Sequence, residues 1–146
     1  MSYLLDTNIV SEVSKPRPDA QCLAWLRAHK GQCVLSVITM AEVRYGIERL
    51  SEGKRRSAAE AAWRFLAEDY DGRFLDFDAP AATEWGRYAA ELEAEFGSEW
   101  WNTFDLRDTQ IAAIAREYGL TVATRNTKHF PFCQTENPFG SNHPSA

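Results

Sequence analysis

This sequence of 146 residues lacks any apolar run long enough to cross a membrane and lacks a basic-then-apolar stretch near its start. Its three cysteines form no CxxC pair, and its three histidines have no zinc-site spacing. We therefore expect reduced, packing thiols and a cytoplasmic protein with no membrane contact. Internal repeats and low-complexity segments are also absent. We predict one domain over residues 1–146, with a loosely packed tail from about residue 131.

Positive charge is scarce as well. The chain has 16 lysines and arginines against 21 aspartates and glutamates, a net charge of −5. This balance argues against a protein that holds nucleic acid by bulk positive charge, although a local patch remains open. Arg125 and Lys128 form one such candidate for phosphate contact, and a plain surface role explains them equally well.

Short apolar runs alternate with amphipathic helical patterns along the chain. Strands are predicted over residues 3–5, 33–37, 74–77 and 120–124, with a fifth around 133–135. This alternation is typical of parallel strands joined by right-handed helical crossovers. We therefore predict an α/β fold, a three-layer α/β/α arrangement around a mostly parallel sheet of four to five strands.

Two helices give specific expectations. Residues 39–42 (Thr39 to Glu42) have the pattern of a capping box, which predicts a helix start there. The helix over residues 55–69 carries an apolar stripe that we expect to face the core. Its members are Ala58, Ala61, Ala62, Phe65 and Leu66.

Four polar residues lie where predicted strands end or helices begin: Asp6, Glu42, Asp108 and Asn126. Each acid alone has an ordinary explanation as a helix cap or first-turn residue, and Asn126 as a turn residue. In a doubly wound sheet, however, the carboxyl ends of strands and the amino ends of helices share one edge. All four side chains then project into one crevice if the first and fourth strands are neighbours.

Three carboxylates in one crevice repel each other unless a cation joins them. Mg²⁺ and Mn²⁺ prefer oxygen ligands and are commonly held by carboxylates together with water and phosphate oxygens. Such a site can activate water and neutralise charge on a phosphodiester. The pattern therefore predicts metal-assisted hydrolysis of a phosphodiester.

The chain also resembles the PIN-domain ribonucleases, and in particular the VapC-like toxins of type II toxin–antitoxin systems, including their FitB-type branch. The resemblance covers nearly the whole chain and rests on the order and spacing of several short motifs. These are Leu5-Asp6-Thr7-Asn8 with Ser11-Glu12, Ser36 with Thr39 and Ala41-Glu42-Val43, Gly46, Asp108 with Ile111-Ala112-Ala113 and Ala115, residues 121–126, Phe130, and residues 137–139.

The resemblance implies a Mg²⁺- or Mn²⁺-dependent endoribonuclease that cleaves structured cellular RNA and is neutralised by a cognate antitoxin. It implies a homodimer, which can assemble further with the antitoxin. By the same resemblance, the metal ligands are Asp6, Glu42 and Asp108, and the catalytic site includes Asn126 at the family's fourth acidic position. Asparagine keeps an oxygen but loses a charge, which leaves one or two metal ions open. The supporting residues implied are Thr7, Asn8 and Thr124.

Three other functions were weighed. A phosphatase with an aspartyl-phosphate intermediate needs an acid two residues after Asp6, where Asn8 stands instead. A phospho-acceptor receiver domain needs an acid pair before Asp6, which is absent. A non-catalytic PIN-like module that binds RNA or protein remains the alternative, and Asn126 is its best support.

Overall fold

A computed structural model describes residues 2–140. Its five strands are β1 (Tyr3–Leu5), β2 (Cys33–Ser36), β3 (Phe74–Leu75), β4 (Thr121–Ala123) and β5 (Thr135–Glu136). They form one sheet in the order β3-β2-β1-β4-β5, and every pairing is parallel. The first and fourth strands are therefore neighbours, as the shared crevice requires. The strand order reverses between them, which is where ligands bind in such sheets.

Six helices flank this sheet: α1 (Thr7–Val13), α2 (Ala20–His29), α3 (Val37–Glu48), α4 (Lys54–Asp69), α5 (Ala79–Phe96) and α6 (Leu106–Glu117). Short 3₁₀ turns cover Lys30–Gln32, Trp100–Asn102 and Thr127–His129. The predicted α/β fold with a parallel sheet is confirmed. Within residues 2–140, no helix is both long and apolar enough to span a bilayer.

Side chains that alternate along the strands contribute to two separate hydrophobic cores, one on each face of the sheet. Leu4 and Val122 face one core, which they share with α5 and α6. Their strand neighbours Leu5 and Ala123 face the other, which includes residues of α1, α2 and α4. Because successive strand side chains point to opposite faces, each short strand contributes to both cores. The sheet is thereby covered on both sides, which is the three-layer arrangement.

The predicted inner face of α4 is wrong. Phe65 is 76% exposed, and the alanines of the expected stripe are exposed with it. Leu66 is the one member of the predicted stripe that packs on the core, and Trp63 packs there beside it. An alanine-rich helix carries apolar residues on more than one face, so its periodicity did not identify the side that meets the sheet.

The tail is better ordered than predicted. β5 pairs with β4 and covers residues 135–136, so it overlaps the expected fifth strand at Thr135 only. The hydroxyl of Tyr88 donates to the carbonyl of Pro131 over 2.9 Å, and Phe139 is buried in the second core. The loose packing predicted from residue 131 is therefore wrong through residue 140, and residues 141–146 lie outside the described part.

Candidate active site

Asp6 follows β1 directly and is only 6% exposed. Its backbone N–H donates to the carbonyl of Ala123 over 2.9 Å, which ties it to the end of β4. Its carboxylate accepts from the N–H of Thr7 at 2.8 Å, the hydroxyl of Thr124 at 2.8 Å and the amide of Asn8 at 3.2 Å. Burial nevertheless raises the pKa of Asp6, because these hydrogen bonds only partly offset the cost of desolvation.

Glu42 reaches the same region from α3, although not as a capping residue. The N-cap of α3 is Ser36, whose hydroxyl accepts from the N–H of Thr39 over 3.2 Å. The helix therefore starts at Val37, and the capping box predicted at residues 39–42 is wrong. One carboxylate oxygen of Glu42 accepts from the hydroxyl of Thr7 over 3.0 Å. Burial raises the pKa of Glu42 as well.

Asp108 lies in the first turn of α6, whose N-cap is Asp105. Burial, followed by the negative charges of Asp6, Asp105 and Glu42, raises the pKa of Asp108 to about 7. Charges act this strongly only over short distances through a poorly hydrated region. Three acids from distant parts of the sequence therefore share one electrostatic environment.

Thr124 joins the two central strands at the site. Its buried hydroxyl donates to Asp6 and accepts from the Asn8 amide at 3.2 Å and from the N–H of Asn126 at 3.0 Å. The side-chain oxygen of Asn8 accepts in turn from the backbone N–H of Arg125 over 3.3 Å. Thr7, Asn8 and Thr124 thus all contact the acids, which is the arrangement expected of supporting residues.

The side-chain oxygen of Asn126 bears on whether the site suits a cation. This oxygen is buried and has no hydrogen-bond donor among the described residues. A buried acceptor without a donor is costly, and a cation or a water bound to one would satisfy it. This amide oxygen and the carboxylates of Asp6, Glu42 and Asp108 are all hard oxygen donors, which is the chemistry that a hard divalent ion prefers.

In residues 2–140, no group of three or more His, Cys, Asp or Glu side chains is arranged to hold a metal ion. Every oxygen of Asp6 and one of Glu42 is occupied by hydrogen bonds within the chain. Mg²⁺ commonly keeps several waters and takes only one or two carboxylates plus substrate phosphate. The donor set therefore fits an ion that water and substrate help to hold.

Two neighbouring residues were missed by the sequence analysis. Nη1 of Arg107 lies 3.8 Å from a carboxylate oxygen of Glu42. Nδ1 of His129 lies 3.6 Å from a carboxylate oxygen of Asp108. The sequence signal for Arg107 was its position between Asp105 and Asp108 in the first turn of α6. No signal connects His129 with Asp108 before the fold is known.

The two predicted RNA contacts differ in their surroundings. Arg125 donates to Glu12 over 2.9 Å and lies over the ring of Phe139, 4.2 Å from its centroid. Its charge is already compensated within the chain. Lys128 is exposed in the 3₁₀ turn next to His129. Of the two, only Lys128 has the exposure that phosphate contact requires.

A predominantly apolar groove of about 620 Å³ adjoins the acidic site. It is formed by residues of α1 to α4 together with Leu5 at the end of β1, and Phe65 forms part of its wall. Thr7 and Glu42 also line it, so the groove and the acids are continuous. Phe65, which the sequence analysis placed in the core, is instead an exposed part of this groove.

Nearly the whole chain is similar to known proteins. The family model described as "PIN domain" matches residues 3–135. The protein named Toxin FitB from Neisseria gonorrhoeae is 36% identical over 129 residues, which are 87% of this chain and 89% of that protein. Ribonuclease VapC2 from Haemophilus influenzae is 35% identical over 132 residues, covering 89% and 90%. A crystal structure of FitAcB from Neisseria gonorrhoeae matches with a TM-score of 0.80 and 34% identity, covering 93% of this chain and 97% of that chain.

Proposed function

Because this chain belongs to the PIN domain family, we propose that it is the toxin of a toxin–antitoxin pair and an endoribonuclease that hydrolyses RNA phosphodiester bonds. The observation that carries the proposal is the acidic cluster itself. Thr7 donates to Asp6 through its N–H over 2.8 Å and to Glu42 through its hydroxyl over 3.0 Å, and the charges of Asp6 and Glu42 add to burial in raising the pKa of Asp108. Such a cluster is costly to fold and suits a site that binds a cation. The names of the relatives, a toxin and a ribonuclease, support the same activity.

Asp6, Glu42 and Asp108 would hold a Mg²⁺ or Mn²⁺ ion, and the side-chain oxygen of Asn126 would be available as a further oxygen donor. Such an ion would supply an activated water and would neutralise charge on the phosphate. Thr7, Asn8 and Thr124 fix the carboxylates before substrate arrives, so that less reorganisation is needed during the reaction. Cleavage takes place in the cytoplasm, where cellular RNA is available.

The test is cleavage of purified bulk tRNA and rRNA, with fragments resolved on denaturing gels. Wild-type protein should give discrete fragments in Mg²⁺ or Mn²⁺ and none in EDTA. Asp108→Asn should lose cleavage. Asp76→Asn is the matched control, because Asp76 also follows a strand, β3, but is exposed and outside the acidic cluster. Unchanged cleavage by Asp108→Asn would contradict the proposal and leave a non-catalytic, RNA-binding module as the better account.

The apolar groove is the proposed binding site for an antitoxin helix. Its walls are mostly apolar, and its end at Thr7 and Glu42 opens on the acidic site. A helix with an apolar face followed by a basic side chain fits both features, and the basic group would occupy the acidic site and block it. This occupant rests on the proposed toxin function.

Phe65→Ser tests this site by calorimetric titration with the antitoxin. We expect about 10-fold weaker binding, because the substitution removes an exposed aromatic anchor. Tyr118→Ser is the control, since Tyr118 is an exposed aromatic residue at the end of α6, which covers the other face of the sheet. Equal affinities for the two variants would place the antitoxin elsewhere. Pairing with a second copy of the chain stays a prediction, for which sedimentation equilibrium is the measurement.

A further inference from the structure

Arg107 is held firmly by the residue that caps its own helix. Its backbone N–H and its Nε donate to one carboxylate oxygen of Asp105, over 2.8 and 3.1 Å. Its Nη2 donates to the other oxygen over 2.9 Å. This paired arrangement of a guanidinium on a carboxylate fixes the plane of the side chain and is among the stronger hydrogen-bonded geometries.

The third guanidinium nitrogen has a different environment. Nη1 lies 3.8 Å from the Glu42 carboxylate, which is too long for a hydrogen bond. The Arg107 side chain is also 50% exposed. Its Nη1 hydrogens therefore remain accessible at the rim of the acidic site while the other side of the guanidinium is fixed to Asp105.

The negative charge at this rim would repel an RNA phosphate unless a cationic side chain lies beside it. Asp6, Glu42, Asp105 and Asp108 are all acidic, and an approaching RNA chain is an anion. A guanidinium matches the geometry of phosphate oxygens better than an ammonium does. Arg125, the other arginine considered for RNA contact, is bound to Glu12.

We propose that Arg107 is a catalytic residue that binds an RNA phosphate through Nη1 at the rim of the acidic site, and that Asp105 is its positioning residue. This inference rests on the proposed ribonuclease function. It assigns substrate contact to a side chain other than Asp6, Glu42, Asp108 and Asn126. It also assigns to Asp105 a second role in addition to capping α6.

The experiment compares steady-state cleavage of bulk tRNA in Mg²⁺ by wild-type protein, Arg107→Ala, Arg107→Lys and Asp105→Asn, over a series of salt concentrations. Arg107→Ala should lower kcat/KM by about 10- to 100-fold, since a charge-assisted hydrogen bond to substrate is lost. Its log–log salt dependence should become shallower by about one ion. Arg107→Lys should restore the salt slope but only part of kcat/KM, because the charge returns without the planar geometry.

Asp105→Asn should keep the helix cap and the salt slope and lower kcat/KM less than Arg107→Ala does. Arg87→Ala is the matched control, because Arg87 is an exposed arginine on α5 that pairs with Glu84, and it should leave both quantities unchanged. Thermal melts of each variant separate a loss of folding from a loss of contact, since Arg107 is half exposed and its removal should leave the midpoint nearly unchanged.

Three experimental outcomes would overturn the inference about Arg107. A salt slope and kcat/KM unchanged in Arg107→Ala would overturn the inference while the ribonuclease function stands. A higher kcat/KM for Arg107→Ala than for the wild-type protein would also overturn the inference. It would indicate that Arg107 inhibits the reaction through its contact with Glu42. If wild-type protein itself fails to cleave RNA, the proposed function fails first, and the inference fails with it.

Discussion

Two buried carboxylates in the same short segment of this chain have opposite electrostatic environments. Glu12 is 3% exposed and Asp6 is 6% exposed. Glu12 accepts from Lys15 and Arg125, each over 2.9 Å, and from the N–H of Asp19 over 2.8 Å. Burial alone would raise its pKa, but these partners lower it below the usual value. The pKa of Asp6 is raised instead, because the effect of burial exceeds that of the hydrogen bonds from Thr124 and Thr7, which are neutral partners.

The difference separates a structural acid from a functional one. The charge of Glu12 is balanced by its cationic partners. The ion pair between Glu12 and Arg125 also holds α1 to the turn after β4. Asp6 is equally buried but lacks a compensating cation among its contacts. A buried acid in this environment is stabilised by protonation or by a bound cation. Substitutions at the two positions should therefore affect different properties.

The largest effect is expected for Asp6→Asn. It should reduce metal-dependent RNA cleavage by about 1,000-fold or more, because the central oxygen ligand loses its charge. Its free energy of unfolding without metal should stay the same or rise, since a repelling buried carboxylate is removed. Gel-based cleavage and urea unfolding measure the two quantities. A variant that unfolds readily but cleaves normally when folded would reverse the assignment.

Glu12→Gln should show the reverse pattern. The substitution removes the charge of the buried Glu12 from its ion pairs with Lys15 and Arg125, at a cost of about 3 kcal/mol in the free energy of unfolding. The folded fraction should keep wild-type kcat/KM. The measurement is urea unfolding followed by cleavage below the transition. A large loss of kcat/KM with unchanged stability would place Glu12 in the site.

The two types of acid should also respond to pH in opposite directions. For Asp108 the unfolded state loses its proton near pH 4, while the folded state keeps it until about pH 7. Metal-free stability should therefore fall as pH rises through that window. Glu12 has a lowered pKa, so its contribution is present above the unfolded value and is lost on acidification. Urea unfolding from pH 3 to 8 tests this, and Asp108→Asn should remove the fall toward neutral pH.

The smallest change is expected for Asn126→Asp. A fourth carboxylate in place of the unpartnered amide oxygen should strengthen Mn²⁺ binding about tenfold, because ligand charge sets affinity. It should also lower metal-free stability slightly through repulsion. Calorimetric titration gives the affinity. An unchanged or weaker affinity would place Asn126 outside the ion's reach.

The sequence indicated the acidic site because its signals are local. A strand that ends at Asp6 and a helix that begins near Asp108 can be recognised from short windows, and the pairing of β1 with β4 then brings them together. The start of α3 was misplaced because Ser36 and Thr39 are both good caps, and only the structure shows that Ser36 is used.

Features that depend on long-range packing were not predictable. Glu12 and Arg125 are separated by 113 positions, and nothing local to either residue indicates the pairing. Phe65 has the periodicity of a core residue, yet it faces a groove, because a surface that binds a partner has the same apolar composition as an interior one. The role of Arg107 likewise depended on finding Glu42 beside it.

The central claim is that Asp6, Glu42 and Asp108 bind one divalent ion cooperatively. Calorimetric titration of Mn²⁺ at pH 6, in two buffers of different ionisation enthalpy, tests it most directly. We predict that the wild-type chain binds the ion and releases a proton, since Asp108 is largely protonated at that pH. Asp108→Asn should bind more weakly and release none. Wild-type protein that fails to bind Mn²⁺, or that binds it no more tightly than Asp6→Asn and Asp108→Asn, would contradict the claim.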